Sequence, residues 1–276
     1  MIEKTISESA FLINESRSRR VDISNDIYSY LWVTKNTKKI WNDFSKIVYP
    51  YDDIQISLRN RFFLETLKDF IRKIDNPVFI NFASGFTSYP FLINKKIKSI
   101  EIDLEYIIKF KQRKIKEWIK LGLLPEREIN FINCDLGTES DVLKLKNNLK
   151  PILEDKKSFI MLEGITYYLS KKSFFQILDI ISELQSTGSI LTLDFWKKDY
   201  EKHPVFIRFK KFFSDYFNFD EKSYNFIDNN DINKIKDYKI IDITDIQELE
   251  EKYLDSYVLS DFEKILPEYY IVLEKI

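Results

Sequence analysis

The chain has 276 residues, a formal net charge of −1 and 44% hydrophobic residues, a composition that predicts one full hydrophobic core. The near balance of basic and acidic residues gives no electrostatic reason to expect a nucleic acid partner. No apolar run approaches the roughly 18 residues of a membrane span. The polar N-terminus lacks the apolar stretch of a signal peptide, so we expect a cytoplasmic protein without membrane association. The single cysteine, Cys134, excludes an internal disulfide and a cysteine-based metal cage, and we predict no metal site.

The first 75 residues are predicted to be helical and to form an N-terminal cap. After them, short β-branched or aromatic runs alternate with stretches whose apolar residues lie three or four positions apart. The runs predict five buried strands: Val78–Phe82, Ser99–Ile102, Ile129–Asn133, Phe159–Leu162 and Ile190–Phe195. The intervening stretches, such as Leu104–Ile119 and Phe174–Leu184, predict amphipathic helices.

This alternation is typical of βαβ units and predicts a parallel sheet that is covered on both faces. Two more strands, Lys239–Ile243 and Tyr269–Leu273, follow, with a short helix and a loop between them. We therefore predict an α/β, Rossmann-like fold: a seven-stranded, doubly wound, mostly parallel sheet with an antiparallel last strand. The chain is interpreted as a single domain, with the cap at 1–75, a core at 76–195, an insert at 196–237 and C-terminal strands at 238–276.

The insert is rich in aromatic residues at helical spacing: Phe206, Phe209, Phe212, Phe213, Tyr216, Phe217 and Phe219. One interpretation is ordinary packing into the hydrophobic core. The other is a helical lid that lines a substrate pocket. The lid is favoured by the position of the insert at the carboxyl edge of the sheet, where ligands of such folds bind.

Small or acidic residues follow four successive predicted strands. The turn Ala83-Ser84-Gly85 follows the first strand, and its small residues either let a ligand approach the backbone or simply make a tight turn. Asp103 ends the second strand, where it is either a ligand for ribose hydroxyls or the N-cap of the next helix. Asp135 and Glu163 follow the third and fourth strands. Together these residues predict a cleft for an adenosine-type ligand at one edge of the sheet.

In this order, the segments resemble the leucine carboxyl methyltransferase family over roughly Ser18 to Phe195. The family is a branch of the class I S-adenosylmethionine-dependent methyltransferases, and it includes protein phosphatase carboxyl methyltransferases and bacterial O-methyltransferases of secondary metabolism. The similar motifs are Arg59-Asn60-Arg61-Phe62-Phe63, Phe82–Ser88, Glu101-Ile102-Asp103 with Lys111, Asp135-Leu136, and Glu163-Gly164 with Tyr168-Leu169.

The resemblance implies S-adenosyl-L-methionine as the cofactor and assigns residues to its methionine end. Arg61, or with less preference Arg59, would hold the methionine carboxylate, for which a guanidinium group is suited. Glu163 would lie near the amino group and the sulfonium. Arg19 or Arg20 would correspond to a basic residue near the active site.

The resemblance also assigns residues to the nucleoside end of the cofactor. The turn Ala83-Ser84-Gly85 would pass under the methionine portion, Asp103 would bind the ribose, and Asp135 with Leu136 would hold the adenine. Two residues depart from the family pattern: Ala83 stands at a motif glycine and Thr87 at a motif aspartate. These departures predict a lower affinity for the cofactor or a divergent subgroup.

The methyl group of a sulfonium is already activated, so such an enzyme mainly aligns the reactants and excludes water. A carboxylate acceptor needs no base, whereas a phenol or alcohol benefits from one. The catalytic residue is not identified. The candidate bases are Tyr168 and His203, and for His203 a surface position is the preferred interpretation.

The function predicted from the sequence is O-methylation of a carboxylate or a phenol/hydroxyl of a small molecule or peptide. The alternative is a non-catalytic methyltransferase-fold protein that acts as an interaction module, an interpretation supported by Ala83 and Thr87. An NAD-dependent oxidoreductase is disfavoured because the three-glycine fingerprint is missing from the first turn. The sequence predicts neither the acceptor nor the oligomeric state.

Overall fold

The computed structural model describes the backbone of residues 2–217, 224–254 and 256–276, with their side chains from position 10 onward. Its strands, β1 to β7 in chain order, are Val78–Phe82, Lys98–Asp103, Ile129–Asn133, Ser158–Leu162, Ile190–Phe195, Tyr238–Asp245 and Tyr269–Lys275. Its helices, α1 to α11 in chain order, are Ile2–Arg19, Val21–Ser24, Lys35–Ile47, Asp52–Lys73, Tyr89–Leu92, Glu105–Lys120, Glu139–Leu153, Lys171–Leu184, Pro204–Phe217, Asn229–Ile232 and Ile246–Tyr253.

The seven strands form one sheet in the order β3-β2-β1-β4-β5-β7-β6. Strands β1 to β5 are parallel to their neighbours, and β7 is antiparallel to both β5 and β6. The predicted mostly parallel sheet with an antiparallel last strand is thus confirmed. The chain runs outward from β1 to β3 and then returns to the other side of β1 with β4. This reversal creates a topological switch point between β1 and β4, the usual place for a ligand in a doubly wound sheet.

The central strands are apolar on both faces because both faces are covered by helices. Every residue of β1 and β4 is buried. On one face, α7 and α8 contribute residues such as Leu149 and Ile181 to the core. On the other face, α4 and α11 contribute residues such as Leu67 and Leu249. The first 75 residues are largely helical, as predicted, but α4 is a layer of the main core rather than a peripheral cap.

Polar side chains determine where several helices begin. Thr34 accepts a hydrogen bond from the backbone N–H of Thr37 at the start of α3, and the Thr37 side chain bonds back to Thr34. Ser170 caps α8 in a similar way. Such caps satisfy backbone N–H groups that a helix leaves unpaired at its first turn. In the described part of the chain, no helix has both the length and the apolarity that crossing a membrane requires.

The insert after β5 contains the predicted helix, α9, and its phenylalanines are core residues. Phe206, Phe209, Phe212, Phe213 and Phe217 are buried in one cluster with apolar residues of α3 and with Trp196. Tyr216 is exposed and donates a hydrogen bond to Asp43, and Phe219 lies outside the described residues. The structure therefore supports the core-packing interpretation. The lid interpretation remains a prediction.

Candidate functional site

The sheet register brings three chain segments side by side at the carboxyl edge. Phe82, the last residue of β1, is paired with Ile102 of β2 on one side and with Leu162 of β4 on the other. The residues that follow these positions are Ala83, Asp103 and Glu163. The turn after β1 therefore lies between two acidic side chains, at the switch point of the sheet.

The turn after β1 has an unusual backbone. Ala83 has φ +50° and Gly85 has φ +44°, so two of three successive residues are in the left-handed region. Glycine adopts this region readily, whereas an alanine there is strained. The turn is held in place by the Ser84 N–H, which donates to the Ile102 carbonyl at 3.0 Å, and by the Gly85 N–H, which donates to Asp103 Oδ2 at 2.7 Å.

Thr87, which stands where the family motif has aspartate, closes the same turn. Its Oγ1 donates to the Ser84 carbonyl at 2.9 Å and accepts a hydrogen bond from Asn81 Nδ2, also at 2.9 Å. Its backbone N–H donates to the same Ser84 carbonyl at 3.1 Å. Threonine thus supplies both a donor and an acceptor within the turn, a combination that an ionised aspartate lacks.

Asp103 connects this turn to the start of α6. Its Oδ2 accepts from Gly85 and its Oδ1 accepts from the Leu104 N–H at 2.7 Å. The N-cap position of α6 is Leu104, and that helix start has no side-chain cap. The interpretation of Asp103 as the N-cap is therefore wrong. Burial raises the pKa of the Asp103 carboxyl, and the two N–H donors partly oppose this shift.

Glu163, directly after β4, is the centre of a buried ion-pair cluster. It accepts hydrogen bonds from Arg17 Nη2, from Arg59 Nε at 3.1 Å and from the Tyr89 hydroxyl at 2.7 Å. Burial opposes ionisation of Glu163, but the two guanidinium groups outweigh it and hold its pKa below the ordinary value. The Glu163 side chain is therefore a carboxylate at neutral pH.

Arg59 extends the cluster to two more acidic side chains. Its Nη1 lies 3.3 Å from Glu268 Oε1, just before β7, and 3.7 Å from Asp194 Oδ2 on β5. Asp194 also accepts from the Gly164 N–H with both oxygens, at 2.9 and 3.0 Å. Burial and the neighbouring Glu268 raise the pKa of Asp194 well above its usual range.

Arg17, on α1, has two buried guanidinium nitrogens without a hydrogen-bond partner among the described residues. Its side chain is almost completely inaccessible, and its Nε and Nη1 have no hydrogen-bond partner among the described residues. Buried guanidinium donors normally bind an acceptor, because leaving them unpaired costs free energy. The N–H groups of these two nitrogens are therefore available to an anion beside Glu163.

The structure separates the two arginines that were proposed for the donor's carboxylate. Arg61, preferred over Arg59, points away from Glu163: its Nη1 donates to the Ile23 carbonyl at 3.4 Å and its guanidinium lies over the ring of Tyr253 at 5.3 Å. Arg59 lies in the ion-pair cluster instead, because residues two positions apart on a helix are separated by roughly 200° of rotation.

The arginines at the end of α1 and directly after it also differ in position. The Arg19 guanidinium lies 3.7 Å from the centre of the Trp41 ring, and Arg20 pairs with Asp22 at the surface. Arg17, which was not predicted, is the one that reaches Glu163. The residues Ser16 to Arg20 offer three arginines in five positions, and only the rotational setting of α1 distinguishes them.

Asp135 and Leu136 lie at the carboxyl edge but are not connected to the ion-pair cluster. Asp135 is exposed and accepts from the Gly137 N–H at 2.9 Å and from Thr138 Oγ1 at 3.2 Å. Leu136 is buried and belongs to the same core cluster against which Ala83 packs. The chain is fixed next to Asp103 by the Cys134 N–H, which donates to the Asp103 carbonyl at 2.9 Å.

The two candidate bases have different surroundings. Tyr168 is 43% exposed, and its ring lies 5.8 Å from that of Tyr224. His203 is only 6% exposed, so its predicted surface position is wrong. The His203 Nδ1 accepts from the Val205 N–H at 3.3 Å, which leaves the proton on Nε2 to donate to the Phe262 carbonyl at 3.0 Å. With both ring nitrogens bound to backbone groups, His203 is a structural cap at the start of α9.

Asp194 and Glu268 were missed as site residues, since an acid inside or just before an apolar strand has no distinctive spacing. Both meet Arg59 only through the tertiary fold. The described residues contain no group of His, Cys, Asp and Glu side chains suited to a metal ion.

Comparison with known proteins identifies the family. The sequence model of the leucine carboxyl methyltransferase family matches residues 21–182, more than half of the chain. The chain belongs to the leucine carboxyl methyltransferase family. This membership confirms the predicted enzyme class, a methyltransferase, together with S-adenosylmethionine as the methyl donor of that class. No curated protein matches the chain by sequence.

Solved structures share the fold of this methyltransferase at low sequence identity. A DUF574 family protein from Streptomyces avermitilis is 12% identical, with a TM-score of 0.60 over 93% of this chain and 100% of the other. A Thermobifida fusca protein is also 12% identical, with a TM-score of 0.63 over 91% and 93%. Magnesium protoporphyrin IX methyltransferase from Synechocystis is 11% identical, with a TM-score of 0.50 over 88% and 95%. At this level of sequence identity, the similarity shows a shared fold only.

Proposed function

We propose that this methyltransferase transfers a methyl group from S-adenosylmethionine to an oxygen atom of a small molecule or peptide, either a carboxylate or a hydroxyl. The observation that carries the proposal is the buried cluster of Arg17, Arg59 and Glu163 beside the turn at the sheet's switch point. This cluster offers unpaired guanidinium donors next to carboxylates. Such a set of groups suits a zwitterionic ligand, for example the methionine end of the donor with its ammonium and carboxylate groups.

In this proposal, Arg17 and Arg59 hold the donor's carboxylate, and Glu163 faces its amino group. The turn Ala83-Ser84-Gly85 passes under the methionine portion, and Asp103 accepts hydrogen bonds from the ribose hydroxyls. Each carboxylate oxygen of Asp103 has one backbone donor, so each keeps capacity for a further hydrogen bond. Asp135 and Leu136, after the neighbouring strand, flank the adenine.

The charge of the cluster supports a cationic donor. Glu163, Asp194 and Glu268 face two guanidinium groups, so the fully ionised cluster has one negative charge in excess. S-adenosylmethionine has a sulfonium, an ammonium and a carboxylate, and therefore one positive charge in excess. Without a bound cation, ionisation of Asp194 would leave one buried charge unbalanced, and the bound donor would balance it.

When bound, the donor supplies a methyl group that is already activated by the sulfonium, so the protein's tasks are alignment and exclusion of water. Helix α1 contributes to the exclusion of water because it packs over the turn Ala83-Ser84-Gly85. A side-chain carbon added to Gly85 would lie 3.9 Å from Ala10 Cβ, and the Phe11 and Phe86 rings are 4.5 Å apart. Water is thereby kept from the turn on the side of α1.

A carboxylate acceptor is the simpler assignment, because it needs no general base. His203 is unsuited to be a base, since backbone groups occupy both of its ring nitrogens. Tyr168, partly exposed beside Tyr224, remains the proposed contact for an acceptor. Burial raises the pKa of its phenol, so in this proposal it donates a hydrogen bond rather than acting as a base.

The rival function is a non-catalytic interaction module with a methyltransferase fold. Its sequence support was the pair of departures at Ala83 and Thr87. The hydrogen bonds of Thr87 to Ser84 and Asn81 keep the turn closed and so weaken that support. Binding of S-adenosylhomocysteine, the product that the donor becomes after methyl transfer, distinguishes the enzyme from the interaction module.

Isothermal titration calorimetry with S-adenosylhomocysteine tests donor binding. We expect micromolar binding by the wild-type chain and a loss of at least about tenfold for Arg17→Met, the value of one charge-assisted hydrogen bond. Arg61→Met is the matched control, because its guanidinium is outside the cluster, and its affinity should equal that of wild type. A wild-type chain that does not bind the ligand would support the interaction module instead.

The acceptor atom is tested by incubating the protein with methyl-labelled S-adenosylmethionine and metabolite or peptide extracts. Mild alkali hydrolyses a methyl ester and releases labelled methanol, whereas a methyl ether resists it. Volatile label after alkali indicates a carboxylate acceptor, whereas alkali-stable label is assigned to oxygen, nitrogen or carbon by NMR of the purified product. Label that remains stable because it is attached to nitrogen or carbon would contradict O-methylation.

A further inference from the structure

A fully buried ion pair lies directly beneath the turn after β1. Glu101 of β2 and Lys111 of α6 contact each other, and neither side chain is exposed to solvent. Lys111 Nζ also lies 3.3 Å from the carbonyl oxygen of Ser84, to which it donates a hydrogen bond. The proposed function assigns no task to either residue.

Stability does not explain why this pair is present. Burial raises the pKa of Glu101 and lowers that of Lys111, and their mutual attraction opposes both shifts. Removing two charges from water costs about as much as their attraction returns, so apolar side chains of the same volume would stabilise the fold equally well. The contact with Ser84 is the property that apolar side chains could not reproduce.

Ser84 lies between the two left-handed residues Ala83 and Gly85. A backbone in this conformation persists only where surrounding groups hold it. The Ser84 carbonyl accepts from the backbone and the hydroxyl of Thr87, which belong to the turn itself. Lys111 is a donor to the same oxygen from a separate helix, and it thereby ties the turn to α6 and, through Glu101, to β2.

We propose that Lys111 is a positioning residue that holds the turn in its donor-binding shape through the Ser84 carbonyl, with Glu101 fixing its ammonium group. This proposal rests on the proposed function, in which the turn contacts S-adenosylmethionine. It makes Lys111 act on donor affinity without touching the donor.

The double variant Glu101→Leu with Lys111→Met replaces both charged side chains with apolar ones of similar volume, so we expect the fold to be retained. We expect a melting temperature close to that of wild type and a Kd for S-adenosylhomocysteine weakened about tenfold, the effect of one hydrogen bond from a charged group. Hydrogen exchange at the Thr87 amide, which bonds the Ser84 carbonyl, should become faster. The control is Lys114→Met with Glu117→Leu, a solvent-accessible pair on the same helix, which should change neither quantity.

A double variant with wild-type affinity and wild-type Thr87 exchange would overturn the proposal. In Glu101→Gln alone, the amide oxygen can still accept a hydrogen bond from Lys111 and hold it next to Ser84, so we expect affinity within about twofold of wild type. A tenfold loss of affinity in Glu101→Gln would also overturn the proposal. This second test can still be made if the double variant does not fold. Failure of wild type to bind S-adenosylhomocysteine would refute the proposed function, whereas Thr87 exchange in the ligand-free protein would still report whether Lys111 holds the turn.

Discussion

Replacement of Ala83 by glycine should stabilise the protein. Ala83 has φ +50°, a region that glycine enters without strain. An alanine in such a position costs about 1 kcal/mol relative to glycine, including the greater freedom of glycine in the unfolded chain. The methyl group of Ala83 is only partly buried against the core, so its removal loses about 0.3 kcal/mol. We therefore expect a gain of about 0.5–1 kcal/mol in the free energy of unfolding, or about 1–3 °C in melting temperature.

Urea denaturation and calorimetry measure this change, and Ala10→Gly is the matched control. Ala10 lies inside helix α1, where the same substitution should cost about 1 kcal/mol, so the two variants should shift stability in opposite directions. The affinity of Ala83→Gly for S-adenosylhomocysteine should stay within about twofold of wild type, because the backbone already has the shape that glycine favours. A destabilised Ala83→Gly variant would refute the view that the alanine is strained.

Thr87→Ala leaves Asn81 Nδ2 unpaired and should lower the free energy of unfolding by about 1–2 kcal/mol, whereas Thr87→Ser should keep wild-type stability in urea denaturation. Asp194, whose pKa is raised, should release a proton when the cationic donor binds. Calorimetry at pH 7 in buffers of different ionisation enthalpy should therefore show more protons released on binding of S-adenosylmethionine than of S-adenosylhomocysteine. Equal release would contradict this prediction. Burial lowers the pKa of His203, so the stability it contributes is complete above about pH 6.5 and falls as the pH is lowered further. His203→Asn keeps a cap acceptor and should flatten thermal stability between pH 7 and 5, and an unchanged slope would argue against this role.

The family and its fold could be predicted from the sequence because they depend on local pattern and chain order. Buried parallel strands need continuous apolar runs, so β1 and β5 were predicted with the boundaries that the structure has. Residues that follow such strands must emerge at the same sheet edge, which is why Asp103 and Glu163 were predicted to lie near the turn after β1.

The sequence by itself determined which segments carry the site, and the tertiary structure decided which side chains enter it. Arg59 and Arg61 share one motif, and Arg17, Arg19 and Arg20 share another, but neighbouring helical residues point in different directions. Only the packing of α1 and α4 against the sheet selects Arg17 and Arg59 and brings them to Glu163. Asp194 joins them because β5 pairs with β4, the strand that Glu163 follows. Glu268 joins them because β7 inserts antiparallel beside β5, a pairing between strands far apart in the chain that no local pattern specifies.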